Sequence, residues 1–254
     1  MSSDRARPLV VSVRPIVGEP ILIADGVLDS TTYLTLRNQV IGAALDGARA
    51  VIVDVTRLAV PAPSAWAAFT SARWHVSQWS DVPIVLVCAQ QAGRDEIDRT
   101  GVARHIPVYQ STQKAIAALS RCPAPPPRRR AQAELPATAG SVVQSRELVT
   151  EWLRSWSQGE FTAVAKMIVT VFVENVLIHT DGAPTIRLES LGSEIRVAVE
   201  DDSPIQAGRS EASILAGDRV SGLAIVAALS RRWGNTPIPS GKMVWATVGI
   251  ENCI

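Results

Sequence analysis

VFVENVLIHTDG, residues 171–182, decides how the second half of this 254-residue chain is read. It sets Asn175 and His179 four residues apart in an apolar run of helical character. Side chains four apart lie one above the other on a helix face. Four residues before Asn175 the chain carries Val171, a side chain with no polar atom. Working outward, the run extends back through FTAVAKMI, and SVVQSRELVTEWLRSW at 141–156 has the same helical spacing. Downstream, TIRLESLG and SEIRVAVEDD alternate as the two arms of a hairpin. GLAIVAALSRRWG reads as a helix ending at Gly234, and SGKMVWATVGI as a hairpin turn and strand. Helix, helix, hairpin, helix, strand predicts an α/β sandwich with helices on one face of a sheet.

The first half alternates differently. LVVSVRPI (9–16) and PILIADG (20–26) read as paired strands, and Asp29, Ser30 and Thr31 offer caps to a helix through TTYLTLRNQVIGAAL. AVIVDV (50–55) and VPIVLVCA (82–89) are continuous apolar runs, as in strands buried on both faces. PSAWAAFTSARWHVSQWS lies between them with helical spacing; DEIDRTGV, HIPVY and STQKAIAALS follow. Strand–helix–strand order implies a sheet layered with helices. Trp66 and Trp74, within about 80° of each other on one helix, form either an interface pair or core packing.

Between the halves, RCPAPPPRRRAQAELPATAGS (121–141) reads as a semi-extended linker, because proline lacks a donor and fixes φ. The expected division is therefore a domain at 1–120, a linker at 121–140 and a domain at 141–254. Hydrophobic residues make up 47% and charged residues 19%, which supports a real core and excludes global disorder. A net charge of +1, with no helix-turn-helix pattern, argues against a nucleic-acid binder. Cys88, Cys122 and Cys253 are far apart and point to a reducing compartment rather than a disulfide or zinc framework. The N-terminus lacks a signal-peptide core, and the longest apolar runs read as too short to span a bilayer. A soluble, cytoplasmic protein without a membrane partner is expected.

The second half resembles the histidine-kinase-type ATPase fold, and in particular the anti-sigma factor serine kinases. The resemblance rests on four motifs in order over about residues 135–252: Asn-x-x-x-His, VAVEDDSP, GLAIV and RRWGNTPIPSGKMVWATV. It implies ATP or ADP and Mg²⁺ as cofactors, with Asn175 as the metal's side-chain oxygen ligand. It implies Asp201 as acceptor for the adenine amino group, and Gly222 as the residue that lets backbone approach phosphate. His179, Ser203 and Lys242 complete the implied nucleotide pocket.

The same resemblance shows what is missing. In that family a glutamate four residues before the asparagine polarises the attacking hydroxyl as general base. Here Val171 stands there, and Glu174 is about 100° around the helix from Asn175. The usual Gly-Arg-Gly reads Val220-Ser221-Gly222, and the threonine after the last Gly-Lys is Met243. Phosphoryl transfer is mostly positioning and charge stabilisation, so these departures imply a degenerate kinase with no catalytic residue in place.

Residues 9–120 resemble the STAS domains of anti-sigma factor antagonists, through GVLD before a helix and VIVDVTRL leading into a serine-containing helix start. In that family the second serine of Asp-Ser-Ser-Gly is phosphorylated by a partner kinase; the matching turn is Ala62-Pro63-Ser64-Ala65. Ser64 is thus either a phosphorylation site or simply a helix N-cap. Together the two resemblances imply a partner-switching regulator of transcription, in stress responses among others. Its expected partners are a sigma factor, an anti-sigma factor or antagonist proteins, with a homodimer also compatible. The rival expectation is an active serine kinase using ATP.

Overall fold

The structure, a computed structural model, describes residues 8–16, 19–80, 82–121, 128–202 and 222–253. By its contacts the chain falls into two compact units, Met1–Pro125 and Pro126–Ile254.

The first unit is a five-stranded sheet of order β1-β2-β3-β4-β5. β1 (Val10–Ile16) pairs antiparallel with β2 (Glu19–Val27), as LVVSVRPI and PILIADG predict. β3 (Val51–Ala59), β4 (Ile84–Val87) and β5 (Val108–Tyr109) continue the sheet in parallel. Parallel neighbours need crossovers, and the chain supplies helices for them: α1 (Tyr33–Leu45), α2 (Ala67–Trp79) and α3 (Gln91–Arg99). α4 (Thr112–Leu119) follows β5, started by Ser111, whose hydroxyl accepts from the Lys114 amide.

The apolar runs are explained by burial on both sheet faces. Ile21, Ile52, Val85 and Val87 pack with Ala115 of α4. The alternate residues Val51, Val53 and Leu86 are also buried and take the opposite face, with α1 packed on β2 and β3. Asp29 organises the turn into α1: its Oδ1 accepts from the Thr31 and Thr32 amides.

The second unit is an antiparallel sheet of order β6-β7-β8-β10-β9 with helices packed on it. β7 (Thr185–Ser190) and β8 (Glu194–Asp201) form the expected hairpin, and β10 (Gly241–Gly249) is the expected last strand. α5 (Gly140–Ser155) packs on α6 (Thr162–His179). Val164, Ile168, Phe172 and Val176 of α6 join Ile195, Val197 and Val199 of β8 and Val244, Ala246 and Val248 of β10 in one core.

Three expectations are corrected here. Residues 121–140 are not linker throughout: Arg129–Glu134 is β6, paired antiparallel with β7, and α5 begins at Gly140. An edge strand needs pairing on one side only, so Ala131 and Ala133 turn inward while Arg130 reaches Glu189 at 2.9 Å. The proline run itself lies outside the described residues. The helix at GLAIVAAL, here α7 (Gly222–Leu229), stops before RRWG, which opens β9 (Arg232–Ile238). The Arg231 amide already donates to the Thr247 carbonyl, and Gly234 lies beneath the Trp245 ring, where a Cβ would come within 3.0 Å of Cζ2. That glycine serves sheet packing and not a helix end. Third, Gly159–His179, which is α6 with the turn before it, is long and apolar enough by composition to cross a membrane. Most of its apolar side chains, Val164, Ile168, Val169, Phe172, Val173 and Val176 among them, form the core of the second unit, while Met167 and Ile178 are exposed.

Candidate functional site

Strand alternation builds one end of the second unit. Val197 and Val199 face the helices, so Asp201, two residues on, faces them too; Val244 and Val248 place Lys242 on the same side. Asp201 and Lys242 stand opposite each other in the β8–β10 ladder. The Asp201 side chain is 3% exposed, and its Oδ2 is 3.3 Å from Lys242 Nζ. Gly241 and Gly182 allow this end to close: a Cβ on Gly241 would meet the Asp201 carbonyl at 2.2 Å, and one on Gly182 would meet Asp202 Oδ1 at 2.0 Å. The C-terminal end of α6 and the C-terminal end of β8 therefore meet.

On α6, Val171 is buried and Asn175, one turn on, is half-buried; Glu174 and His179 are exposed. Gly222, at the head of α7, lies against Val171: a Cβ there would be 2.8 Å from Cγ1. Gly222 is thus held against the methyl groups that replace the expected base. Met243 is fully buried. Ser203, Val220 and Ser221 lie outside the described residues. The fold brings Asp201 together with Lys242, and Val171 together with Gly222, and leaves His179 in solvent.

ATP and Mg²⁺ are the groups that the ATPase resemblance implies. The described residues do not fit a phosphoryl-transfer site. The carboxylate assigned to adenine is in a buried ion pair, and a methyl group sits where a base would act. Among the described residues no group of three or more His, Cys, Asp or Glu is placed to hold a metal.

In the first unit, Ser64 is exposed in a short 3-10 turn, Pro63–Trp66, that leads into α2. The expected cap is not formed: Ala62 and Trp66 occupy the N-cap positions, and neither helix start has a side-chain cap. The tight turn also splits the tryptophan pair. Trp66 is 3% exposed and its Nε1 donates to Glu96 Oε1 at 3.0 Å, while Trp74 is 59% exposed. Trp66 thereby ties the serine-bearing turn to α3. Sequence spacing missed this tether, because residues 66 and 96 meet only through the fold.

Several solved structures are similar to the chain, three of which follow. One is an anti-sigma factor antagonist from Mycobacterium paratuberculosis, at 16% identity over 44% of this chain and 95% of the other, with a TM-score of 0.38. Another holds the RsbU and RsbW domains of a Mycobacterium tuberculosis protein, at 20% identity over 48% of this chain and a TM-score of 0.37; the chain covers 32% of its length. The third is the anti-sigma factor antagonist SpoIIAA in its unphosphorylated form, at 14% identity over 44% of this chain and 98% of the other, with a TM-score of 0.34. No curated protein matches the chain. Residues 11–115, running from β1 into α4 and including Ser64, match the STAS domain family.

Proposed function

We propose that the chain is a regulator of the partner-switching type, acting on a sigma factor or its regulators by protein–protein binding. The observation that carries this reading is the STAS match over residues 11–115, with Ser64 exposed in the turn before α2 and capping nothing. A hydroxyl so placed is open to a kinase, and about two negative charges there would be tolerated beside a helix start while repelling an apolar partner surface.

The proposal gives the second unit a binding role without phosphoryl transfer. Val171 and Met243, where a base and a hydroxyl are expected, support this. An adenine nucleotide with Mg²⁺ enters as a ligand to be titrated, not as a substrate to be consumed. Cytoplasmic location belongs to the same proposal.

The test is capture of purified sigma factors, anti-sigma factors and antagonists on the full chain, with and without ATP. Binding to one of them, weakened by Ser64→Asp and kept by Ser64→Ala, is expected. No capture under any nucleotide condition would refute the regulator reading. Phosphorylation of an antagonist, abolished by Asn175→Ala, would replace it with the active serine kinase.

A further inference from the structure

Three different devices hold α3 in the first unit. Arg94 Nη1 donates to the Cys88 and Ala89 carbonyls, both at 2.7 Å, and ties the helix to the end of β4. Ile97 is its buried side chain. Glu96 Oε1 accepts from Trp66 Nε1 at 3.0 Å, which ties the helix to the turn that carries Ser64.

The third device is the one a phosphate would act on. Two residues of a 3-10 turn rise only about 4 Å, so a group on Ser64 stands close to the Trp66 backbone. Trp66 is 3% exposed and its ring lies tilted on Phe69 at 5.8 Å, so the indole is fixed by packing. The partner that can yield is α3. Its nine residues include Asp95, Glu96 and Asp98, while Arg94 is already engaged with carbonyls. A phosphate placed beside carboxylates disrupts by like-charge repulsion.

The first turn of α3 covers a thiol. Gly93 lies on Cys88, where a Cβ would come within 2.6 Å of Sγ. Cys88 is 3% exposed, and burial raises its thiol pKa. Gly93 and Glu96 are three apart and so neighbours on one face of the helix. Release at Glu96 therefore acts next to Cys88.

We propose that α3 receives the phosphorylation of Ser64: the phosphate loosens the Trp66–Glu96 hydrogen bond and lifts the first turn of α3 from Cys88. A partner then meets the modification on α3 as well as at the serine. The inference rests on Ser64 being the modified residue, and Glu96 is a positioning residue that acts through Trp66.

The experiment uses the full chain with Cys122→Ser and Cys253→Ser, which leaves Cys88 as its one thiol. It reads the rate of Cys88 modification by N-ethylmaleimide and the hydrogen exchange of peptides from 91–99. Ser64→Asp, standing in for the phosphate, should raise both about fivefold or more, and Ser64→Ala should leave both unchanged. With Glu96→Gln, which keeps an acceptor for the indole and removes the charge, Ser64→Asp should raise them less than about twofold. A nearby negative charge by itself raises a thiol pKa and slows the reaction, so acceleration reports exposure. No acceleration by Ser64→Asp, or equal acceleration with Glu96→Gln, overturns the proposal. So does faster exchange of β3 peptides from 51–59, which would be a general loosening of the unit. Acceleration confined to α3 and Cys88 in a chain that captures no partner would support the relay and refute the regulator reading. Capture that responds to Ser64→Asp while α3 stays protected would refute the relay and support the regulator.

Discussion

Replacing Gly222 with alanine sets two opposed effects against each other. Alanine in place of glycine lowers the entropy of the unfolded chain and should stabilise by about 0.4–1 kcal/mol where the backbone allows it. The new Cβ, however, would stand 2.8 Å from Val171 Cγ1 and 3.6 Å from Cγ2. Carbon atoms prefer about 3.5–4.0 Å, so roughly 1 Å of overlap must be relieved. Val171 cannot easily turn away, because a β-branched side chain in a helix is held near one rotamer and this one is buried. Overpacking of this kind costs about 1–3 kcal/mol, so the contact wins and the net loss should be about 1–2 kcal/mol. Val171→Ala removes the obstacle. The double variant should therefore be more stable than the sum of the single effects by about 1 kcal/mol or more. Hydrogen exchange of peptides from 162–179 and 222–229, followed in urea by mass spectrometry, reads this unit without interference from the other. Stabilisation by Gly222→Ala, or additivity in the cycle, would refute the claim that Val171 fills the space before α7.

Three further outcomes are expected. Lys242→Met removes the ammonium 3.3 Å from the buried Asp201 carboxylate and should destabilise the second unit by about 3 kcal/mol in urea denaturation; a loss under about 1 kcal/mol would show that the pair is dispensable. Burial first, and Arg37 second, push the His75 pKa down from 6.5 to about 4. The unfolded chain then binds the extra proton, so this stability is complete above about pH 6.5 and is lost as pH falls toward 4; after discount for partial exposure it should amount to about 1–2 kcal/mol, and His75→Gln should flatten the pH dependence. Glu96→Ala removes the acceptor of the Trp66 indole and should cost about 1–2 kcal/mol in the first unit and shift the Trp66 emission, whereas Glu96→Gln should keep most of both; no change in either would sever Ser64's turn from α3.

Local pattern carried much of the architecture. Continuous apolar runs located β3 and β4, and alternation located the β7–β8 hairpin, because burial on two faces or one leaves its own period in the chain. Pattern failed where pairing decides structure. RRAQAE has little strand character and becomes β6 only because β7 offers it a ladder; RRWGNTPI follows a helix without a break and becomes β9 because β10 pairs with it. The candidate site was legible as a set of positions on α6, β8 and α7. Its chemistry was not: the Asp201–Lys242 pair and the Val171–Gly222 contact join residues more than forty positions apart, which no spacing rule connects.

The place of β6 sets where the chain can be cut. A fragment beginning at residue 141, as the proline-rich stretch invites, would lack the strand that completes the sheet and the fully buried Leu135 that follows it. The backbone of β7 would then be bare along the side that β6 now covers, from Thr185 to Ser190. A bare ladder recruits strands from other molecules, so such a fragment should precipitate or pair with itself, while one beginning at residue 126 should stay monomeric and soluble. Any isolated preparation of the second unit that forms dimers therefore has to be checked for its starting residue before the dimer is credited to the protein.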